Sequence, residues 1–240
     1  MDERERRRGD SDMDEQPSQA VQDYLKAIHR LGGTDTVVSP ATIATALQVK
    51  APSVTGMLKR LQDAGWISYT PKSGAILTEA GLAEALRVIR RHRLVELFLT
   101  QVLKLDWSEV DAEAEALEHA ISPRLEAAIA AHLGEPVEDP HGHPIPSSTG
   151  VLKHRVLQRL SDFRDGDCVV IREAQDDNSA RLRHWRDHGL VPGATVRINH
   201  YQPLDDLFEV EVGGRTIRLG SEGLSGLRGE SVTLLNANRG

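Results

Sequence analysis

The chain of 240 residues has one cysteine, Cys168, and that scarcity excludes two classes of chemistry. There is no disulfide framework and no thiolate metal site. Cys168 stands beside Val169, Val170 and Ile171 and reads as a buried core residue. No apolar run is long enough to cross a bilayer. The opening MDERERRRGDSDMDEQP carries a basic run without the apolar stretch of a signal peptide. Residues 1–17 therefore read as a disordered tail, with no membrane partner, and the protein is expected in the cytoplasm. A global basic field is also missing, because the formal charge is −7. That does not exclude DNA, since a basic patch can be local and bound metal adds positive charge. H-E-x-x-H is absent, and the only E-x-x-H, from Glu138 to His141, crosses Pro140, which a helix interior does not tolerate. A di-metal oxidase built on helical Glu-x-x-His repeats is thereby disfavoured, and the chain is not expected to be an enzyme.

What is present begins with helical periodicity. Over residues 18–31, Val21, Tyr24, Leu25, Ile28 and Leu31 recur at helical spacing, and Gly32-Gly33 ends the run. Ser39 before Pro40 is an N-cap and first-turn pair opening a helix of Ile43, Ala44 and Leu47. A third helix is expected from Pro52, in PSVTGMLKRLQDAG, with Val54, Met57, Leu58 and Leu61 inward and Gly65 closing it. WISYT, PKSG and AILT then read as strand, turn and strand. That order is a winged helix-turn-helix. At the front of its third helix, Pro52, Ser53 and Thr55 are small enough to approach a groove, with Ser53 and Thr55 placed to read bases. Lys59 and Arg60 reach toward phosphates, and Lys72 and Ser73 stand at the wing tip. A winged helix used for protein contact is the other reading of the same pattern.

Residues 78–105 are expected to form one long helix capped by Thr78, with His92 and Glu96 at i and i+4. Its Arg87, Arg90, Arg91 and Arg93 read as a solvated face, with proximity to DNA as the other reading. The stretch EVDAEAEALEH then sets Asp111, Glu115, Glu118 and His119 on one helical stripe. Such a stripe is either solvated or built around something positive, and oxygen and nitrogen donors at this spacing suit a divalent first-row cation. Ser122-Pro123 opens another helix, ending near Gly134, and the helices together suggest a dimerisation layer. In the loop EDPHGHPIPSSTG, His141 and His143 form an H-x-H that could bind metal, although in a proline-rich loop the reading as plain loop residues is the stronger one. Beyond it the pattern turns to period two, in DCVVIRE, ATVRINHY, LFEVEV, RTIRLG and SVTLL, with Gly213-Gly214 as a hairpin turn and a short helix near residues 179–188. This is a small β-barrel of SH3 type. Its Glu173, Asp176 and Asp177 are either solvated or donors of an oxygen ligand. The fold class is α+β, with the winged helix at residues 18–80, a helical metal-binding and dimerisation domain at 81–150, and the barrel at 151–240.

The blocks YLKAIHRL, APSVTGMLKRLQDAGW, HRLVELFL, EALEH and DPHGHPIP together resemble the DtxR/IdeR/MntR metal-dependent transcriptional repressors over residues 19–232, and the barrel with GLVPG resembles the FeoA-like domain of longer members. The resemblance implies a homodimer that binds double-stranded operator DNA when loaded with Mn(II) or Fe(II), with two metal sites per subunit. By motif, one site takes Asp23, Glu115, Glu118 and His119, and the other takes His92, Glu96 and Asp111 with a group from the barrel. Iron-type members have Met at the place of Asp23 and Cys at that of Glu115, so the primary set matches the manganese type and Mn(II) is the expected cofactor. Lys26 departs from the manganese type, which has Glu there, and Asp111 from the iron type, which has His. A metal-independent winged-helix regulator whose barrel senses a ligand or partner remains the alternative.

Overall fold

Capping chemistry sets where the helices begin. The computed structural model describes residues 17–175 and 178–232, so the expected tail (apart from Pro17) and the loop acids Asp176 and Asp177 lie outside the described residues. The chain divides into two compact units, residues 1–88 and 89–240. In the first, α1 (Gln19–Arg30), α2 (Pro40–Ala46) and α3 (Ala51–Asp63) precede β1 (Ile67–Thr70) and β2 (Gly74–Leu77). Ser39 Oγ accepts from Thr42 N at 3.1 Å, which satisfies one of the donors left over at the start of α2. α3 starts at Ala51, one residue ahead of the expected Pro52, and the proline sits where a missing N–H leaves no bond unmade. Gly65 ends that helix at φ +79°. β1 and β2 pair antiparallel from Ile67↔Leu77 to Thr70↔Gly74, with Lys72 at φ +71° in the turn between them. Leu25, Ile28, Ile43, Val54, Leu58 and Leu61 fill the core under α3. This is the expected winged helix-turn-helix.

The second unit begins within α4 (Glu79–Gln101), whose N-terminus is capped by Thr78 Oγ1 accepting from Gly81 N at 3.1 Å. α4 stops at Gln101 rather than near residue 105, and Lys104 follows in the left-handed region at φ +61°. α5 (Val110–Leu117) is shorter than expected: Glu118 is its C-cap, and His119 lies beyond it in a turn. α6 (Pro123–His132) opens with Ser122 Oγ accepting from Leu125 N at 3.2 Å. Leu94, Val95 and Leu97 of α4 pack with Val110 and Ala114 of α5 and Ile129 and Ala130 of α6.

The barrel follows, as β3 (Gln158–Arg159), β4 (Cys168–Ala174), α7 (Ser179–Asp187), β5 (Thr195–Gln202), β6 (Leu207–Val212), β7 (Arg215–Gly220), α8 (Ser221–Leu224) and β8 (Leu227–Ser231). The sheet order is β3-β8-β4-β5-β6-β7, antiparallel throughout. Gly213 and Gly214 both have positive φ, as a two-residue hairpin turn requires. β4 alternates, so Val169 and Ile171 point into the core while Cys168 is only half-buried, not the core residue expected. Trp185 is the largest wholly buried side chain, and its Nε1 donates to Gly223 O at 2.8 Å.

Barrel and helical layer meet at residues 139–145 and 106–109. Ala174 N donates to His141 O at 3.0 Å, Trp107 packs against the barrel core, and Asp106 and Glu109 pair with Arg186 and Arg183 of α7. Gly142 has φ +85°, and a Cβ there would overlap the carbonyl oxygen of Arg172 on β4. Gly142→Ala should therefore lower stability by about 1–3 kcal/mol from backbone strain alone, with the overlap adding to it. Urea unfolding together with proteolysis in the 138–150 segment measures this, and an unchanged midpoint would show that the loop is not clamped.

Candidate metal centre

His92 and Glu96 are one helical turn apart on α4, so they share a face, and both are buried. α5 lies across that face, anchored by its buried Val110 and Ala114. One residue further along from each anchor stand Asp111 and Glu115, whose side chains are 58% and 46% exposed. His92 is the hub. Its Nδ1 is 2.6 Å from Glu118 Oε2 and 3.6 Å from Glu115 Oε2, and its Nε2 is 3.3 Å from Asp111 Oδ1 and 3.6 Å from Glu96 Oε1. Four carboxylates thus surround one imidazole. Glu118 is wholly buried and turns its other oxygen, Oε1, to His119 Nε2 at 3.3 Å. His92, Glu96 and Asp111 can each offer a ligand atom within 4.8 Å of the others, and so can His92, Glu115 and Glu118.

The electrostatics follow from that crowding. Burial alone pulls His92 toward its neutral form, but hydrogen bonds to Asp111, Glu118 and Glu96 override it and hold the imidazole well above its ordinary pKa of 6.5. Burial also pushes Glu96 up, and hydrogen bonds to His141 and His92 more than reverse this, leaving its carboxyl below the usual carboxylate range. The donor set is rich in oxygen, with imidazole nitrogen available once an ion displaces the His92 proton, which fits a hard divalent first-row ion and gives a soft one no thiolate.

Residues 139–143 hold the H-x-H that the sequence pattern discounted, together with Asp139, which it did not single out. His141 is buried, stacked on Trp107 with ring centres 5.1 Å apart, and donates from Nε2 to Trp107 O at 2.9 Å. That leaves Nδ1 facing Glu96 Oε1 at 3.4 Å. Burial lowers the His141 pKa, and Glu96 with Asp139 raises it further than burial lowers it. Asp139 Oδ1 accepts from the backbone N–H of His141 at 2.8 Å and of His143 at 2.9 Å, while Oδ2 is 3.1 Å from His143 Nδ1. Asp139, His141 and His143 form a further set with ligand atoms within 4.8 Å. The signal in the sequence was the prolines at 140 and 144, which bracket a turn tight enough to fold back on α4.

The arginines of α4 correct another expectation. Arg87 is exposed, but Arg90 and Arg91 are buried, with Nε atoms 3.0 and 3.1 Å from the two oxygens of Glu126 on α6. Arg90 also donates to Pro146 O at 2.8 Å, and Arg93 donates to Pro144 O and lies 3.5 Å from Asp139. They are internal ties of the second unit, not a solvated face. Glu173 lies half-buried on β4 and belongs to none of the ligand sets among the described residues. In the first unit, Asp23 is half-buried on α1. Pro52, Ser53, Thr55, Lys59 and Arg60 are all exposed on α3, as are Lys72 and Ser73 at the wing tip.

Comparison with known proteins finds metal-dependent repressors among the relatives of this chain. The model of the iron dependent repressor N-terminal DNA binding domain matches residues 18–75, that of the iron dependent repressor metal binding and dimerisation domain matches residues 78–147, and that of the FeoA domain matches residues 158–228. The iron-dependent repressor IdeR of Mycobacterium leprae is 30% identical over 187 residues, spanning 73% of this chain and 81% of that protein. The diphtheria toxin repressor of Corynebacterium efficiens is 33% identical over 157 residues, 63% of this chain and 68% of that one. Among solved structures, a manganese-dependent transcriptional repressor in complex with manganese superposes with a TM-score of 0.82 at 33% identity, covering 88% of this chain and all of that one. ScaR with bound Zn2+ superposes with a TM-score of 0.73 at 30% identity, covering 90% of this chain and all of that one.

The His92 cluster predicts a pH signature for metal-free protein. A raised imidazole adds stability that is full below its unfolded pKa of about 6.5 and is lost as pH rises through the higher folded value. A depressed Glu96 adds stability that is full above the usual carboxylate range and is lost as pH falls through its folded value. With chelator present, the urea midpoint should therefore decline on the alkaline side of neutrality, and His92→Gln should flatten that limb. An alkaline limb of the same slope in His92→Gln would mean that another group carries it.

Proposed function

The chain belongs to the iron-dependent repressor family, and from that premise we propose that it represses transcription by binding operator DNA as a homodimer when a divalent cation is bound. The observation that carries this reading is the buried knot of Glu96, Glu118 and His92, with Asp111 and Glu115 at its mouth, in a chain whose α3 displays small polar and basic side chains. The functional division proposed is a DNA-binding part at residues 18–80, a metal-binding and dimerisation part at 81–150 and a FeoA-like barrel at 151–240. Exposed Leu103, Leu105, Leu117 and Leu125 supply apolar surface for a partner subunit. No described helix is long and apolar enough to cross a membrane, and a cytoplasmic location is inferred from the DNA target.

Two ligand sets are proposed. The primary set is Asp23, Glu115, Glu118 and His119. The second is His92, Glu96 and Asp111, with His141 facing Glu96. The bound ion supplies the positive charge that repelling carboxylates lack. Glu118 of the primary set faces His92 of the second set with one oxygen and His119 with the other, so the two sets touch and are expected to load interdependently. Asp23 stands on α1, ahead of the recognition helix α3, and is assigned to this set so that a common ion would join α1 to the ligands of α5. If only that joined state fits DNA, a differential affinity of about 5.5 kcal/mol would take the population from 1:99 to 99:1.

Mn(II) is the proposed activator, with Fe(II) weaker. Carboxylates at Asp23 and Glu115 suit an ion at the weak end of the divalent series, where discrimination comes from geometry rather than raw affinity. Anaerobic DNA-binding titrations on the promoter of a metal transporter, with Mn(II), Fe(II) or chelator, test this. Asp23→Met with Glu115→Cys should raise the response to Fe(II) and lower that to Mn(II). Retention of the wild-type order by the double variant would defeat the ligand argument. Lys59→Ala should weaken binding to all sequences alike and flatten the log–log salt slope by about one unit. A loss confined to the operator would instead make Lys59 a base reader.

A further inference from the structure

The barrel's helix carries a second kind of donor set. α7 is held at its start by the Asn178 side chain, which accepts from Ala180 N at 2.9 Å and Arg181 N at 3.4 Å, and it is anchored inward by buried Leu182 and Trp185. On the opposite side, His184 and His188 follow at i and i+4, the spacing by which two imidazoles on one helical face take a single ion. Their ring centres are 4.3 Å apart. His188 Nδ1 donates to His184 O at 2.8 Å, which leaves its Nε2 as the lone-pair nitrogen. A ring N–H fixed on a carbonyl, which sets the tautomer and leaves the other nitrogen to a ligand, is the arrangement that orients histidines at metals generally. The neighbouring cations are already compensated: Arg181 lies 2.9 Å from Glu222, Arg183 lies 3.3 Å from Glu109, and Arg186 pairs with Asp106 and Asp187.

We infer that His184 and His188 form a surface chelate for a late first-row divalent ion, Cu(II), Ni(II) or Zn(II), through their two imidazole nitrogens, with water filling the remaining positions. The ligand chemistry sets the choice. Two imidazole nitrogens with no carboxylate in the pair favour the strong end of the divalent series and give Mn(II), at its weak end, little hold. The α4–α5 cluster, rich in carboxylate, suits Mn(II) by ligand type and geometry rather than by raw affinity. One chain therefore carries an oxygen-rich set for the early ions and a nitrogen-only set for the late ones, and the second set stands on the helix whose Arg183 and Arg186 tie the barrel to residues 106–109.

The test uses the full-length, tag-free protein. Cu(II) is titrated into wild type, His184→Gln and His188→Gln, followed by calorimetry and by electron paramagnetic resonance for nitrogen coupling. Wild type should take up one more equivalent with imidazole-nitrogen coupling than either variant. Each single variant should weaken that equivalent by about 100-fold or more, the upper end of the cost of losing even a ligand's supporting partner. His184 is exposed, so its variant is expected to keep the wild-type circular dichroism and thermal midpoint. Mn(II)-stimulated DNA binding should be the same in all three proteins, which separates this site from the proposed regulatory centre: the copper count reads α7 even if the DNA response fails. Equal stoichiometry and affinity in wild type and both variants would overturn the inference and leave the pair as a solvated helix face.

Discussion

A carboxylate taken wholly out of water is the constraint that organises the second unit. Glu118 has no exposed surface, and it caps the C-terminus of α5, where the helix macrodipole is itself negative. Both circumstances disfavour its charge, and an ionised carboxyl in such a place must be compensated or become neutral. The nearest compensating group is the imidazole of His92 at 2.6 Å, which is in turn crowded by Glu96, Asp111 and Glu115. One proton on His92 therefore serves several acids at once. A divalent ion brings twice that charge and needs no proton, so the residues that make the metal-free cluster tolerable are those best able to accept the metal.

The surroundings are arranged to keep that cluster in place. Arg90 and Arg91 converge on the two oxygens of Glu126, joining α4 to α6. Arg90 and Arg93 reach the carbonyls of Pro146 and Pro144, and Asp139 gathers the backbone N–H groups of His141 and His143. The 139–145 segment is thus tied to α4 from one side, while Ala174 N and the close approach of Gly142 to Arg172 tie it to β4 from the other. Buried ion pairs of this kind contribute little net stability over an apolar substitute, but losing one partner strands a charge at a cost of about 3–5 kcal/mol. What they enforce here is placement: His141 can face Glu96 at 3.4 Å only because its loop has nowhere else to go.

Local chemistry was legible in the sequence, and partnership was not. Ser39, Thr78 and Ser122 each announced a helix start, because a cap is written within three residues of itself. The winged helix and the barrel followed from periodicity, and the family from motif blocks. Periodicity reports which residues share a face but not what that face meets. Arg90 and Arg91 read as solvated because their partner is remote in sequence: Glu126 lies 36 and 35 residues beyond them. His141 was discounted as a loop residue for the same reason, because Glu96 and Trp107 are remote in sequence. The end of α5 escaped too, since nothing in EALEH breaks a helix, and the turn after Leu117 places His119 where an ideal helical stripe would not.

Compensation by a proton also explains how a buried site can be reversible. If the metal-free cluster held uncompensated charge, it would have to open to water or distort, and recapturing an ion would require refolding. The raised His92 pKa favours a proton on the metal-free cluster, so metal uptake there would release that proton and exchange one cation for another. The free energy available to drive a conformational change is then the difference between those two states rather than the whole of the metal's binding energy. By linkage, whatever part of that difference favours the DNA-competent arrangement must reappear as tighter metal binding when operator DNA is present. A single proton offsets only part of the charge of the four carboxylates around His92, so a divalent ion still gains by replacing it, but by less than it would from an unprotonated cluster.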